Sequence, residues 1–320
     1  MAISERLKQR FCKDNNLSIQ LFSEPYFTDR IKLLGYEAEY NHFKDLISNK
    51  FNNSEEAYFN EYNELKDKVI DFIKKSEAYE KLQQDDMSKY QCKYQLKQSD
   101  VYKIPNISRE FVSIDMQKAN FSALVYYGES NNCRFFDNYS YKEFMKQFTD
   151  EEHFINSKYI RQVVFGNCNP KRQVTYEKWL MSNVIQILTD IIKIDINEIY
   201  SLCSDEIIIH AENLTIEQES MIYKMAHMVK FPLRIERFTL GVITSAEENK
   251  DIHNGNIYAF VKKVGFEDYD LKCVEPINMP FVMKTIKGYE LTEDDLIFSY
   301  NGKLAKFLEE PKLRLNFKEV

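Results

Sequence analysis

Apolar side chains in the N-terminal third of the chain recur at helical spacing. Residues 36–90 are dense in Glu, Lys, Tyr and Phe, and within them Val69, Ile70 and Ile73 follow a period of three to four. The charged positions between such residues are typical of a solvent-exposed helix face. We therefore predict that residues 1–107 form a helical region.

The middle of the chain combines short apolar runs with longer periodic ones. Strands are predicted at 111–115 and 231–243, and a hairpin is predicted at 198–212. Helices are predicted at 141–165, 174–194 and 214–230, whereas residues 122–128 fit either a strand or a helix. This alternation predicts a mixed α+β fold.

Polar stretches mark two boundaries. The connector at 91–110 contains Pro105, and the sequence EENKDIHNGN at 247–256 has no apolar pattern. Beyond the second stretch, mixed helical and strand spacing returns. We therefore divide the chain into a helical region at 1–107, an α+β region at 108–245 and a small α+β appendage at 246–320.

The balance of charge limits the classes of partner. The 320 residues include 43 Lys and Arg against 50 Asp and Glu, which gives a formal net charge of −7. That balance argues against unspecific coating of nucleic acid, which draws on many phosphate contacts, but it permits a local basic groove. Aromatic residues make up 14% of the chain, an excess that fits both core packing and surfaces on which bases stack.

The sequence has no feature of a secreted or membrane protein. The six cysteines contain no CxxC pair of the kind found in zinc or redox sites. The start, MAISERLKQRF, is charged and lacks the apolar segment of a signal peptide. No run of about 18 apolar residues occurs. We therefore expect reduced thiols, a cytoplasmic protein and no membrane contact.

Carboxylates stand at the ends of two predicted apolar elements. Asp115 ends the strand that begins at Phe111, and Asp205 and Glu206 lie at the turn of the hairpin. One interpretation is an ordinary turn, because Asp is common in turns. The other is a metal site, since two carboxylates from neighbouring strands can hold two Mg²⁺ ions about 3.5–4 Å apart. The pattern alone leaves both interpretations open.

Three segments, in order, resemble the palm of the bacterial DNA polymerase I family (family A). Its first palm motif has the form D-Y-S-Q-I-E-L after a strand, and Asp115–Phe121 has D-M-Q-K-A-N-F in the same setting. Its last palm motif, V-H-D-E-I, is similar to Cys203–Ile207, in which Ser204 replaces the His. A following strand of the form V-P-L-x-V-E and a later Gly are similar to Phe231–Glu236 and Gly241.

This resemblance implies a fold and a chemistry. The fold is a palm-like antiparallel sheet with helices on one face, N-terminal helices in the place of the thumb, and a reduced fingers insertion at about 141–195. Asp115 and Asp205 would bind two Mg²⁺ ions, and Glu206 would join them as a third catalytic carboxylate. The implied partners are nucleoside triphosphates and a nucleic-acid template with its primer. The C-terminal appendage is a candidate surface for a protein partner.

The key fingers helix of that family carries a basic residue four positions before an aromatic one, and then a Gly. Arg161, Phe165 and Gly166 have this spacing. It implies that Arg161 binds the incoming triphosphate and that Phe165 stacks beside the base. Further positive charge, suited to phosphate binding or to a solvated helix end, is present at Lys158, Lys171 and Arg172.

The chain departs from the family pattern at several positions. The resemblance covers about residues 108–245, Arg161 stands where the family prefers Lys, and the family's upstream Arg falls on Ser157. Asn120 takes the place of a Glu that helps to exclude ribonucleotides, so this predicted nucleotide-binding residue leaves the choice of sugar open. Only about 90 residues separate the two Asp motifs, so the fingers must be much reduced. We also expect no room for a proofreading exonuclease domain.

Two functions of different classes remain open on the sequence. The first is a template-directed nucleotidyl transferase resembling a reduced DNA polymerase, with a phage-type polymerase, a small RNA polymerase or a primase as variants. The second is a catalytically inactive palm that binds nucleic acid or serves in assembly, which the short fingers and net acidity favour. The presence of both Asp115 and Asp205 favours the enzyme, since two neighbouring like charges are costly without a metal.

Overall fold

Helices make up the N-terminal region of the computed structural model, which describes residues 3–94, 100–136, 140–246, 257–266 and 268–317. They are α1 (Glu5–Asp14), α2 (Tyr26–Leu33), α3 (Glu37–Asn49), α4 (Glu55–Lys74) and α5 (Glu77–Gln84). Helices α1, α4 and α5 begin after Ser4, Ser54 and Ser76, whose hydroxyls accept hydrogen bonds from backbone N–H groups of the first turn. The predicted helical character of this region is confirmed.

The remaining helices and the strands alternate along the chain. The helices are α6 (Ala119–Ser130), α7 (Tyr141–Lys146), α8 (Glu152–Asn156), α9 (Lys158–Gly166), α10 (Pro170–Asp190), α11 (Ile216–Met225) and α12 (Met279–Lys287). The strands are β1 (Glu110–Met116), β2 (Ile199–Cys203), β3 (Glu206–His210), β4 (Leu233–Ser245), β5 (Ile257–Lys263), β6 (Tyr269–Lys272), β7 (Ile297–Tyr300), β8 (Lys303–Lys306) and β9 (Leu313–Asn316). The fold is α+β, as the sequence predicts.

Two predicted helical segments differ in detail from the structure. The segment 122–128, which fitted a strand or a helix, lies within α6. The segment 141–165 is divided into three helices, because Glu151 caps the start of α8 and Ser157 caps the start of α9 with their side chains. The predicted boundary at 247–256 lies outside the described residues.

Within the described residues, one antiparallel sheet has the order β2-β3-β1-β4-β5-β6, and β9 also pairs with β4. The first four strands and the helices between them form a split β-α-β arrangement, in which β1 lies between β3 and β4. Because β1 and β3 are antiparallel, the end of β1 lies beside the start of β3, where Asp115 pairs with Glu206. The topology thus brings the two predicted carboxylate motifs to one edge of the sheet.

The two faces of β1 have different surroundings. Val112, Ile114 and Met116 belong to the large core that the helices share. Side chains alternate across a strand, so Phe111, Ser113 and Asp115 lie on the opposite face. There, Phe111 packs in a second apolar cluster that includes Ile107 from the preceding segment. The sequence predicted that helices cover one face of the sheet. Asp115 lies on the other face, at the end of β1.

The C-terminal segment is α+β, as predicted, and three of its strands extend the main sheet. Strands β5 and β9 both pair with β4, and β6 pairs with β5. Gly241 permits this packing, because a Cβ atom there would come within 2.5 Å of the Phe317 ring. Strands β7 and β8 form a separate two-stranded sheet.

Candidate active site

The backbone holds Asp115 against the turn between β2 and β3. Asp115 is the register partner of Glu206, and the N–H group of Met116 donates to the carbonyl oxygen of Asp205 at 2.8 Å. Asp205 lies in the two-residue turn after Cys203. Two acidic residues about 90 positions apart in the sequence are therefore adjacent in the fold.

The acidic groups at this edge disfavour one another's ionised form. Burial, together with the negative charges of Asp205, Glu206 and Glu236, raises the pKa of Asp115 to about 6. Arg234 opposes these effects, with its guanidinium Nη2 3.4 Å from Asp115 Oδ2. Burial, followed by Glu206, also raises the pKa of Asp205. A cation placed between these carboxylates would relieve their repulsion.

Glu206 is directed along the same face of the sheet. The Ser113 hydroxyl donates to Glu206 Oε1 at 2.5 Å across the β1–β3 pair. Ser113 is 1% exposed, so this hydrogen bond lies at the base of the acidic group. The bond orients the Glu206 carboxylate beside Asp115, where it adds negative charge.

The carboxylates present suit a hard divalent cation shared with a substrate. Among the described residues, no group of three or more His, Cys, Asp and Glu side chains is arranged to hold a metal ion. Mg²⁺ in phosphoryl-transfer sites commonly takes one or two carboxylates, with the other ligands supplied by water and substrate phosphates. Asp115 and Asp205 fit that smaller role, because both are oxygen donors held adjacent by the backbone.

Sequence reasoning did not identify three charged residues near Asp115 and Asp205 as part of the site: Glu177, Arg234 and Glu236. Glu177 lies on α10, is 2% exposed, and has its pKa raised to about 7, first by burial and then by Asp205. The sequence feature that could have revealed Glu177 is its place on the apolar face of α10, which includes Leu180 and Val184. A buried acid with no basic partner among the described residues points to a functional site.

Asn120 lies next to this buried acid rather than standing free. Its side-chain amide donates to Glu177 Oε1 at 2.6 Å. Asn120 is in the first turn of α6, which begins shortly after Asp115. The predicted nucleotide-binding residue is thus part of the acidic group's surroundings, on the helix-covered side of the sheet.

The predicted fingers residues Arg161 and Phe165 lie in different environments. Arg161 is half-buried, with its guanidinium carbon 5.7 Å from the centroid of the Tyr141 ring. Phe165 is 1% exposed and packs against Phe121 in the core. Phe165 therefore presents no open face to a base in this structure. Lys158, at the start of α9, is half-buried near Arg161. Desolvation, followed by the positive charge of Arg161, lowers the pKa of Lys158.

The other two predicted basic residues lie at the start of α10. Arg172 Nη1 donates to the carbonyl oxygens of Leu82 and Asp85 at 2.9 and 2.8 Å. This guanidinium therefore anchors the end of α5. Lys171 is exposed, and its carbonyl accepts a hydrogen bond from the Thr175 hydroxyl. Of the cations predicted from the sequence, Lys158 and Arg161 are the two that lie together.

Comparisons with known proteins add no family to this geometry. The chain matches no protein-family model, and comparison with curated proteins and with solved structures gives no match. Separately, none of the helices in the described part of the chain is long and apolar enough to cross a membrane.

Proposed function

We propose that this chain is a template-directed nucleotidyl transferase that uses two Mg²⁺ ions, resembling the palm of the DNA polymerase I family. One observation carries the proposal: Asp115 and Asp205, which match two separate motifs of that family, are held side by side by the β1–β3 pairing. A polymerase palm requires these two residues to be close together. Because they are far apart in the sequence, their proximity in the fold is independent support for the resemblance.

The residues at this edge suit the roles that such a reaction needs. When bound, two Mg²⁺ ions would activate a primer 3′-hydroxyl and neutralise the leaving pyrophosphate. Asp115 and Asp205 would hold them, while Glu206 would add charge beside them and Ser113 would keep Glu206 in place. Arg161 would neutralise the triphosphate. Catalysis would then rest on positioning and charge stabilisation.

Magnesium-dependent incorporation of a labelled nucleotide on a primed template tests this proposal. The parent should extend the primer with Mg²⁺ and stop when EDTA is added, and Asp205→Asn should not extend it. Asp190→Asn is the matched control, because Asp190 is exposed at the far end of α10 and its loss changes net charge equally. Extension by Asp205→Asn at the parent's rate would refute the assignment. Parallel reactions with ribo- and deoxyribonucleotides would identify the sugar, which Asn120 leaves open.

One observation favours the alternative, a palm without catalysis that binds nucleic acid. Arg234 forms an ion pair with Asp115 at 3.4 Å and another with Glu236 at 3.6 Å, so part of the acidic charge is already neutralised without metal. Under this alternative, primed template would bind the parent and Asp205→Asn equally, with no incorporation by either. The same reactions, read by gel shift, therefore separate the two functions.

A further inference from the structure

Two cations, Lys118 and Arg161, lie beside the ring of Tyr141, and a third, Lys158, lies near Arg161. Lys118 lies in the turn between β1 and α6, and Lys158 and Arg161 lie on α9. Lys118 Nζ is 5.3 Å and the Arg161 guanidinium carbon 5.7 Å from the Tyr141 ring centroid. Elements far apart in the sequence thus bring positive charge to one place.

None of the three forms an ion pair with a carboxylate of another described residue. Partial desolvation lowers the pKa of both Lys118 and Lys158, and the charge of Arg161 lowers each further. Arg161 therefore repels both lysines, and Asp270 offsets part of this effect at Lys158. An anion bound among them would offset that repulsion and supply counter-charge to Lys118 and Arg161.

The surroundings of Tyr141 hold Lys118 and Arg161 in place. Tyr141 is 3% exposed, and its hydroxyl has no hydrogen-bond partner among the described residues. Its ring attracts both neighbouring cations through its electron-rich face. The backbone of Lys118 is left-handed, with φ 49°, an uncommon conformation for a residue other than Gly, and its side chain does not cap α6. Such backbone strain is concentrated at functional sites.

We propose that Lys118 joins Arg161 and Lys158 in binding the triphosphate of the incoming nucleotide, an inference that rests on the proposed function. Lys118 follows Asp115 by three residues, so its backbone lies close to the strand end that carries the carboxylates, where the α-phosphate would react. The family's first palm motif has an uncharged Gln at this position. The contact is therefore specific to this chain, and the N-terminus of the 12-residue helix α6 beside it further favours an anion.

Inorganic tripolyphosphate, titrated by calorimetry with EDTA present, tests this cluster without requiring catalysis. The variant Lys118→Gln keeps much of the side-chain length and removes the charge. Lys118→Arg restores the charge. Lys142→Gln is the matched control, because Lys142 adjoins Tyr141 on α7 but pairs with Glu152 at 2.9 Å.

We expect Lys118→Gln to weaken tripolyphosphate binding roughly tenfold, as loss of one charge-assisted contact implies. Lys118→Arg should stay within about threefold of the parent and Lys142→Gln should match it. In primer extension, Lys118→Gln should raise the KM for nucleotide with a smaller effect on kcat. A single-stranded oligonucleotide should bind the parent and Lys118→Gln equally.

Several results would overturn this assignment. The first is that the parent does not bind tripolyphosphate at millimolar concentration. The second is that Lys118→Gln binds tripolyphosphate as tightly as the parent. The third is that Lys118→Gln loses as much affinity for the oligonucleotide as for tripolyphosphate. The last result would place a nucleic-acid backbone on Lys118. A parent that extends primers while Lys118→Gln keeps its nucleotide KM would refute this inference alone. A parent that binds tripolyphosphate through Lys118 but never extends a primer would refute the proposed function alone.

Discussion

Replacing Asp115 with Asn should stabilise the metal-free protein at neutral pH. The pKa of Asp115 is raised from its ordinary 3.8 to about 6, chiefly by burial and then by neighbouring acids. The folded protein therefore binds more protons at this site than the unfolded chain between these two values. The contribution of the Asp115 carboxyl to the free energy of unfolding is greatest below about pH 4. It falls as the pH rises and is lowest above about pH 6.

The size of this effect follows from the same shift. A displacement of about two pKa units corresponds to roughly 3 kcal/mol at neutral pH. The Asp115 side chain is 26% exposed and its partner Arg234 56% exposed, so solvent screening reduces this figure. We expect Asp115→Asn to raise the free energy of unfolding by about 1–2 kcal/mol at neutral pH.

Urea denaturation in EDTA at about pH 7.5 and about pH 4 measures this gain. The gain should be present at the higher pH and mostly lost at the lower, where the parent's Asp115 is protonated. The exposed Asp190→Asn should change stability little at either pH. A gain of equal size at both pH values, or a variant less stable than the parent at pH 7.5, would refute the electrostatic argument.

Three further variants test separate parts of the account. Asp205→Asn should abolish incorporation but leave the metal-free fold as stable or slightly more stable, as measured by primer extension and urea denaturation, because burial and Glu206 already disfavour its charge. Phe165→Ala should lower the free energy of unfolding by about 3–5 kcal/mol, because the ring is 1% exposed; a loss under about 1 kcal/mol with altered base selection would instead support stacking on a base. Glu177→Gln keeps an acceptor for Asn120, so its gain in stability should be larger at about pH 8 than at about pH 5, since the pKa of Glu177 is raised to about 7. An equal gain at both values would count against a buried charge there.

The sequence predicts the local elements around the site because their signals are local. The apolar run of β1 ends at Asp115, and the β2–β3 hairpin has apolar strands on both sides of a polar turn. The metal site that the resemblance implies needs these two elements side by side, and the structure pairs β1 with β3. The start of α11 also has a local signal, because the Thr215 hydroxyl and Gln218 form a capping box.

Long-range pairing and burial were harder to predict. The pairing of β5 and β9 with β4 joins segments separated by a polar stretch, and local periodicity carries no information about such partners. Four-residue spacing predicted that Arg161 and Phe165 share a helix face, but the depth of each side chain depends on Phe121 and Tyr141 from other elements. Lys118 was likewise missed, because its significance comes from neighbours on α9 rather than from its own motif.

The central claim is that Asp115 and Asp205 together hold divalent cations. Cleavage by Fe²⁺ with ascorbate tests it most directly, since bound iron generates radicals that cut the backbone nearby, and mass spectrometry locates the cuts. The account predicts cuts close to both Asp115 and the turn at Asp205, suppressed by excess Mg²⁺ and lost in Asp205→Asn but retained in Asp190→Asn. Cuts that Mg²⁺ does not suppress, or cuts that persist unchanged in Asp205→Asn, would contradict it.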